Sequence, residues 1–203
     1  MRYTYLKRLI DIIIGLIGLI ILVPFTIIIK VLFLLCRDKG KIMYNQKRIG
    51  KDGKPFNIHK YRTMVVNADE MLDELLKDEK YKEEWDLNQK IEDDPRITTV
   101  GKFLRKTSLD ELPQLLNVLK GEMSLVGPRP LVEGELEAHG GTELYWKAKP
   151  GITGWWASHG RSNVDYKKRL EMEYYYVRNQ SLRLDMICIL KTIKSVLTWQ
   201  GAK

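Results

Sequence analysis

Cysteine and histidine are scarce in this sequence of 203 residues, which contains two cysteines and three histidines. The histidines are scattered singly, and Cys36 and Cys188 lack the spacing of metal ligands. Both cysteines lie in apolar stretches, which indicates small hydrophobic side chains in a reducing compartment. No internal repeat or low-complexity segment is visible, and the length suits one domain with room for an appendage.

Acidic residues are fewer than basic ones, 26 against 34, so the formal net charge is +8. Such a balance favours an anionic partner: a membrane surface, a nucleic acid or a phosphorylated substrate. The basic residues are spread along the chain rather than concentrated in one stripe, which argues against a nucleic-acid partner.

Charge is absent from Ile12–Ile29, a segment that would be about 27 Å long as a helix. No small-residue cleavage site follows, so this segment does not read as a cleaved signal peptide. It is long enough to predict a membrane-inserted helix.

Pro24 interrupts this apolar segment, and positive charge flanks it on both sides. Proline inside a helix removes a backbone hydrogen bond and causes a kink. The flanking basic residues are Arg2, Lys7 and Arg8 before the segment, and Lys30, Arg37, Lys39 and Lys41 after it. Because positive residues favour the cytoplasmic side, we expect a re-entrant helix that bends at Val23-Pro24 and returns to the same face. A straight single span that tolerates the proline is the alternative.

The stretch Thr107–Pro130 reads TSLDELPQLLNVLKGEMSLVGPRP. Ser108, followed three residues later by Glu111, has the form of a capping box. It predicts a helix that begins at this point and continues through the leucines that follow. Gly121 is a typical residue for its C-terminal end.

A second carboxylate, Asp110, lies beside Glu111 at the helix end whose dipole favours anions. Both carboxylates are therefore expected to be ionised. With the basic residues Arg105 and Lys106 close by, such a pair is able to hold Mg²⁺ and to present an acid oxygen as a nucleophile. The simpler interpretation is a common helix start without chemistry.

The loop Gly127-Pro128-Arg129-Pro130 is stiffened by two prolines and presents one guanidinium, a natural ligand for phosphate. Together with the carboxylate pair it suggests phosphoryl transfer. Lys60 and Arg62 fall on one side of an extended segment, where phosphate binding and a solvated surface both stay open. Arg161 is a further loop arginine.

The other patterns predict an α+β fold that is mostly helical, with a small β element. Short strands are expected at Ile42–Gln46 and Phe56–Lys60, around a turn at 51–54. Helices are expected at 67–89, 100–106, 131–138 and 166–178. Residues 147–156 are expected to form a tight loop.

The last predicted helix is amphipathic and runs through Leu182–Leu197. It is suited to lie on anionic lipid, and packing on its own core is an equal alternative. We therefore expect a re-entrant membrane helix over residues 1–37 and a cytoplasmic, membrane-associated catalytic domain over 38–203.

Several blocks in one fixed order make the chain resemble the bacterial sugar transferase family, the monotopic phosphoglycosyl transferases. These blocks are the apolar helix with a central proline, KYRTM, SLDELPQLLNVLKGEMSLVGPRP, KPGITGWW and YYYVRNQSLRLD. The resemblance implies transfer of a sugar 1-phosphate from a UDP-sugar to polyprenol (undecaprenyl) phosphate with release of UMP. That reaction initiates polysaccharide or glycoconjugate assembly.

The resemblance also implies roles for individual residues. Asp110 matches the family's nucleophilic aspartate, which forms a covalent phosphosugar intermediate, and Glu111 matches the partner that helps to hold Mg²⁺. The implied substrate-binding residues are Arg105, Pro128, Arg129, Pro130 and Arg161, with less close matches at Lys60 and Arg62.

The implied partners are a UDP-sugar, polyprenol phosphate and anionic membrane lipid, without nucleic acid and with a homo-oligomer left open. The implied location is the cytoplasmic face of the bacterial inner membrane, in a monotopic arrangement. A non-enzymatic, membrane-anchored lipid-binding scaffold is the alternative; it explains the charge but not Asp110-Glu111 or the Gly-Pro-Arg-Pro loop.

Two positions depart from the family pattern. Val23 stands where relatives often have serine, and Glu173 stands where many have aspartate. Gly160-Arg161-Ser162 and Gly201-Ala202-Lys203 look closer to the hexose-transferring relatives, which favours glucose or galactose as the sugar.

Overall fold

The computed structural model describes residues 2–38, 40–88, 91–159 and 164–198. Its helices are α1 (Arg2–Leu35), α2 (Ala68–Leu75), α3 (Glu79–Asn88), α4 (Thr99–Thr107), α5 (Gln114–Lys120), α6 (Glu135–Ala138), α7 (Trp155–His159), α8 (Tyr166–Arg178) and α9 (Leu182–Leu197). Its strands are β1 (Met43–Ile49), β2 (Pro55–Tyr61), β3 (Ser124–Val126) and β4 (Gly151–Thr153). The mostly helical α+β class is confirmed. Predictions on Lys39, Gly160-Arg161-Ser162 and Gly201–Lys203 lie outside the described residues.

Helix α1 is long and apolar enough to cross a membrane, and it continues without interruption through Pro24. Fifteen of the 22 large apolar side chains exposed on the described residues belong to it, Val23 among them. Each such side chain gains roughly 1.5–3 kcal/mol when it leaves water. This exposed apolar face makes α1 suited to association with a membrane.

The opposite face of α1 packs along the rest of the protein. Toward its C-terminal half, Leu22, Ile29 and Phe33 join a core with Tyr61 of β2 and with Val100 and Leu104 of α4. Toward its N-terminal half, Gly15 and Gly18 let two leucines of α5 approach so closely that an added Cβ would lie 2.7 and 2.5 Å from them.

Polar residues near the start of α1 fasten it to the body. Lys7 forms a 2.9 Å ion pair with Asp185 of α9. Arg8 donates to the carbonyls of Val118 and Leu119 at the end of α5, where a cation also stabilises the helix dipole. Buried Asp11 accepts hydrogen bonds from the backbone and side chain of β3 residues. The sequence interpretation attached no such role to these residues.

Strands β1 and β2 form an antiparallel hairpin in which Tyr44 lies opposite Lys60 and Arg48 lies opposite Phe56. Both strands are longer than predicted, and the turn between them is present as expected at Lys51–Gly53. Strands β3 and β4 pair in parallel, so the prediction of a plain loop over 147–156 was wrong. Three-residue strands are too short to show a period of two.

The helices after β3 were predicted with unequal accuracy. Helix α8 has the predicted bounds, whereas the helix predicted over 131–138 is limited to Glu135–Ala138. Leu131, the first residue of the predicted helix, instead forms a β-bridge with Ile49 of β1. On α9, Leu184 and Cys188 are buried. Three other apolar side chains of α9 are exposed at helical spacing, Met186, Leu190 and Ile193.

Candidate active site

The capping box predicted at Ser108 is wrong. Ser108 has φ 56° and ψ 19° and ends α4, with no capping hydrogen bond from its side chain. Leu109–Glu111 forms one 3₁₀ turn, and α5 begins only at Gln114, after Pro113. The two carboxylates therefore lie in a tight connection between helices rather than at the N-terminus of α5. The end of α5 is as predicted, with Gly121 in the left-handed region.

Lys60 of β2 and Arg105 of α4 bring positive charge to this turn. The Lys60 ammonium donates to Glu111 Oε1 at 2.8 Å, and both side chains are mostly shielded from solvent. Arg105 donates from Nε to Thr63 Oγ1 at 2.9 Å. The four charged residues Lys60, Arg105, Asp110 and Glu111 thus lie close together in the fold.

The acidity of Asp110 is altered by its surroundings in this site. Burial and the like charge of Glu111 raise its pKa to about 6, although Lys60 and Arg105 both act to lower it. This pKa is higher than that of an exposed aspartate, whereas the expected helix N-terminus would have lowered it. A partly desolvated carboxylate between two cations is suited to nucleophilic attack on an anionic substrate.

The donor set at this turn fits Mg²⁺. No cluster of three or more potential ligand side chains occurs within the described ranges. Mg²⁺ needs fewer, because it keeps several waters and binds through one or two carboxylates plus substrate phosphates. Asp110 and Glu111 supply two adjacent carboxylates; the pKa of Asp110 is raised by burial and by the like charge of Glu111, and a cation would relieve the second effect.

Arg129 and its two prolines lie in a second cluster. The Arg129 backbone N–H donates to Glu173 Oε1 at 3.0 Å, and its carbonyl accepts from Tyr145 at 2.9 Å. Its guanidinium is exposed, with the carbon 5.7 Å from the centre of the Trp156 ring. The buried Pro128 carbonyl accepts from the Gly151 N–H, and the Pro130 carbonyl accepts from Arg48.

The two clusters occupy opposite ends of the β1–β2 hairpin. Lys60 faces Tyr44 in the register, and Arg48 faces Phe56 four residues away, which corresponds to roughly 13 Å along a strand. The carboxylate pair, held by Lys60, and the Pro-Arg-Pro loop, held by Arg48, therefore lie at different points along the hairpin.

Glu173 is a buried residue that binds the backbone of the Pro-Arg-Pro loop. Its side chain is fully buried, and burial raises its pKa to about 7 against the effects of Arg129 and Arg169. Within the described residues one oxygen holds the Arg129 N–H and the other has no partner. Glu173 is one methylene group longer than the aspartate of many relatives, and its carboxylate here contacts the backbone of Arg129.

Arg48 and Arg169 belong to this second cluster and were not singled out from the sequence. Arg169 lies 4.6 Å from the ring centres of both Trp156 and Tyr166. Its spacing from Glu173, four residues along α8, was the available signal. Nothing in the sequence marks Arg48, because its neighbours come from distant parts of the chain.

Arg62, another predicted arginine, does not join either cluster in the described structure. Arg62 is buried; it donates to the Lys41 carbonyl and to Asp38, both at 2.7 Å, and lies over Phe33. Its guanidinium is therefore occupied in holding the end of α1, in contrast to the predicted substrate contact. Arg161 lies outside the described residues.

Comparison with known proteins gives a family match over residues 2–199, to the family described as bacterial sugar transferase. An "uncharacterized sugar transferase" of Haemophilus influenzae is 49% identical over 97% of this chain and 42% of its own length. The undecaprenyl-phosphate galactose phosphotransferase of Salmonella typhimurium is 47% identical over 98% of this chain and 42% of its own length.

The exopolysaccharide production protein ExoY of Sinorhizobium fredii is 44% identical over 97% of this chain and 87% of its own length. The chain thus spans less than half of the Haemophilus and Salmonella relatives but most of ExoY.

Proposed function

This chain belongs to the bacterial sugar transferase family, and from that premise we propose that it transfers a sugar 1-phosphate from a UDP-sugar to undecaprenyl phosphate, releasing UMP. The observation that carries the proposal is Asp110, partly buried and placed beside Glu111 between Lys60 and Arg105. The name of the Salmonella relative, a galactose phosphotransferase that uses undecaprenyl phosphate, supports the reaction class.

The proposed reaction has two steps at one aspartate. In the first, a carboxylate oxygen of Asp110 bonds to the β-phosphorus, the bond from that phosphorus to the bridging oxygen breaks, and UMP leaves with this oxygen. In the second, a phosphate oxygen of the polyprenol attacks the same phosphorus, and the Asp110 carboxylate is released. A covalent intermediate lets a soluble donor and a lipid acceptor use the site in turn.

The neighbouring residues have separate duties in this scheme. Lys60 holds Glu111 at 2.8 Å, so it fixes one carboxylate while it offsets the charge of the pair. Arg105 keeps its terminal nitrogens for phosphate oxygens. When bound, Mg²⁺ held by Asp110 and Glu111 would neutralise charge on the diphosphate. The Arg129 loop provides a second, positively charged contact for the anionic substrate farther along the hairpin.

We expect purified protein to release UMP from one or a few UDP-sugars. Release of more than one UMP per protein molecule should require polyprenol phosphate. A panel of UDP-sugars including glucose, galactose and their N-acetyl forms would identify the donor, with galactose or glucose expected first. Protein that binds anionic vesicles but releases no UMP from any donor would instead favour the lipid-binding scaffold.

The membrane arrangement is also part of the proposal: α1 enters the cytoplasmic leaflet of the inner membrane and returns, bending at Val23-Pro24. The contacts along α1 support it. Lys7 pairs with Asp185 near one end, and Phe33 packs under Arg62 near the other. A helix held at both ends by the same body is difficult to reconcile with ends on opposite sides of a bilayer.

Tags placed before Arg2 and after Lys41 are expected to be reached by protease only from the cytoplasmic side. The measurement compares intact spheroplasts with permeabilised ones, with a periplasmic protein as the positive control for cleavage. Pro24→Ala is expected to straighten α1 and move some molecules to a spanning form. Cleavage of the first tag in intact spheroplasts of wild type would refute the hairpin.

A further inference from the structure

Thr63 lies at the junction between β2 and α4, next to the site but outside the groups assigned to catalysis. We infer that Thr63 is a positioning residue for the proposed transfer, because its hydroxyl orients the Arg105 guanidinium toward the phosphates that meet Asp110. The inference rests on the proposed function and adds to it the group that aims the arginine.

The contact itself is specific to one nitrogen of the guanidinium. Thr63 Oγ1 accepts from Arg105 Nε at 2.9 Å. In the described part of the chain this is the only hydrogen bond of the Arg105 side chain. Both terminal Nη groups are therefore left for a ligand, which is the geometry needed for two-point binding of a phosphate.

Thr63 is itself held rigidly by the start of α4. Its carbonyl accepts from the Thr98 N–H at 3.0 Å and from the Thr98 hydroxyl at 3.4 Å. Gly101 packs directly on the same carbonyl, so closely that a Cβ at that position would collide with the backbone of Thr63. Arg105 follows Gly101 by four residues, one turn along α4. The threonine and the arginine are thus fixed relative to each other.

Electrostatics alone would not decide where Arg105 points. Asp110 and Asp94 both attract its guanidinium, and Arg96 repels it. Asp94 is buried and bound by Arg96 through contacts of 2.9 and 2.7 Å. It is therefore a fixed anion that competes with Asp110 for the Arg105 guanidinium. The hydrogen bond to Thr63 restrains the guanidinium at Nε and so limits the directions that its terminal nitrogens can take.

The test compares Thr63→Val, which removes the hydroxyl at nearly constant shape, with Thr63→Ser, which keeps it. In the valine variant we expect kcat of UMP release to fall about tenfold or more, with KM changed less, since a hydrogen bond to a charged group is lost. The rate of protein labelling by UDP-sugar without lipid should fall by the same factor. The serine variant should recover most of the wild-type rate.

Thr153→Val is the matched control. It removes a comparable hydroxyl on β4, one that bonds Thr192 of α9 at 2.6 Å rather than Arg105. Its kcat should stay at the wild-type value. If Thr63→Val fails to fold, Thr63→Ala, which adds no methyl group, provides the same comparison with Thr63→Ser.

A double-mutant cycle with Arg105→Ala completes the test. Since Thr63 acts through Arg105, adding Thr63→Val to Arg105→Ala should change kcat by less than about twofold. Wild-type kcat in a folded Thr63→Val, an equal loss in Thr63→Ser, or a full further loss in the double variant would each overturn the inference while the proposed function stands. Wild type that releases no UMP from any UDP-sugar would overturn both.

Discussion

Asp110→Asn is expected to abolish sugar phosphate transfer and leave the protein folded. The amide has the size of the carboxylate and suits a partly buried position whose carboxyl pKa is already raised. It cannot form the acyl phosphate, so turnover should fall by several orders of magnitude, toward the detection limit of a UMP-release assay. Thermal unfolding should show a midpoint close to that of wild type.

The same prediction has a direct chemical readout. Because the first step needs no lipid, wild type given labelled UDP-sugar without polyprenol phosphate should retain label after denaturation and lose it to hydroxylamine. Mass spectrometry should locate the adduct on Asp110, and Asp110→Asn should carry none. Wild type with normal turnover but no label would mean direct transfer, and the carboxylate pair would then be a metal site only.

Glu111→Gln is the matched comparison, since it makes the same chemical change one residue away. The side chain would keep its size but lose the ion pair with Lys60. We expect reduced turnover with some labelling of Asp110 retained, because the nucleophile is still present. Equal and complete loss of labelling in both variants would contradict the separate roles of the two carboxylates.

The parts of the fold predicted from sequence are those that local patterns determine. Helix α8 over Tyr166–Arg178 and the end of α5 at Gly121 follow from periodicity and from a glycine at the C-terminus. The mostly helical class and the apolar α1 follow in the same way. Arg105, Asp110 and Glu111 were named from the sequence because they are charged residues close together in the chain, which is visible without knowledge of the fold.

The capping box failed because two local signals competed. Ser108 and Glu111 have the required spacing, but Pro113 follows immediately, and proline is favoured in the first turn of a helix. The structure follows the proline: Ser108 adopts a left-handed conformation and α5 starts after Pro113. The backbone around Asp110 was therefore predicted wrongly, and burial rather than a helix dipole is the main influence on its pKa.

The residues missed by the sequence interpretation are those with distant partners. Asp185 accepts from Tyr3, Lys7 and Tyr176, and Arg48 approaches the Pro-Arg-Pro loop from 82 positions away. No short motif encodes such contacts. For the same reason Arg62 was assigned to substrate, although its partners are supplied by the segment that follows α1.

Removal of Mg²⁺ is the second change with a large expected effect. Asp110 and Glu111 repel each other, and a diphosphate adds further negative charge to a turn that Lys60 and Arg105 offset only in part. Excess chelator should therefore abolish UMP release, and added Mg²⁺ should restore it. The loss should be complete, because both the substrate charge and the pair itself then lack their counter-ion.

A measurement independent of turnover separates metal binding from catalysis. Mg²⁺ at 100 times its Kd would stabilise the folded protein by about 2.7 kcal/mol, so it should raise the unfolding midpoint of wild type. In Glu111→Gln, which has lost one of the two charged ligands, the increase should be smaller at the same concentration. Activity that persists in excess chelator would remove the metal from the mechanism, and Lys60 and Arg105 would then have to supply the whole counter-charge for the transferred phosphate.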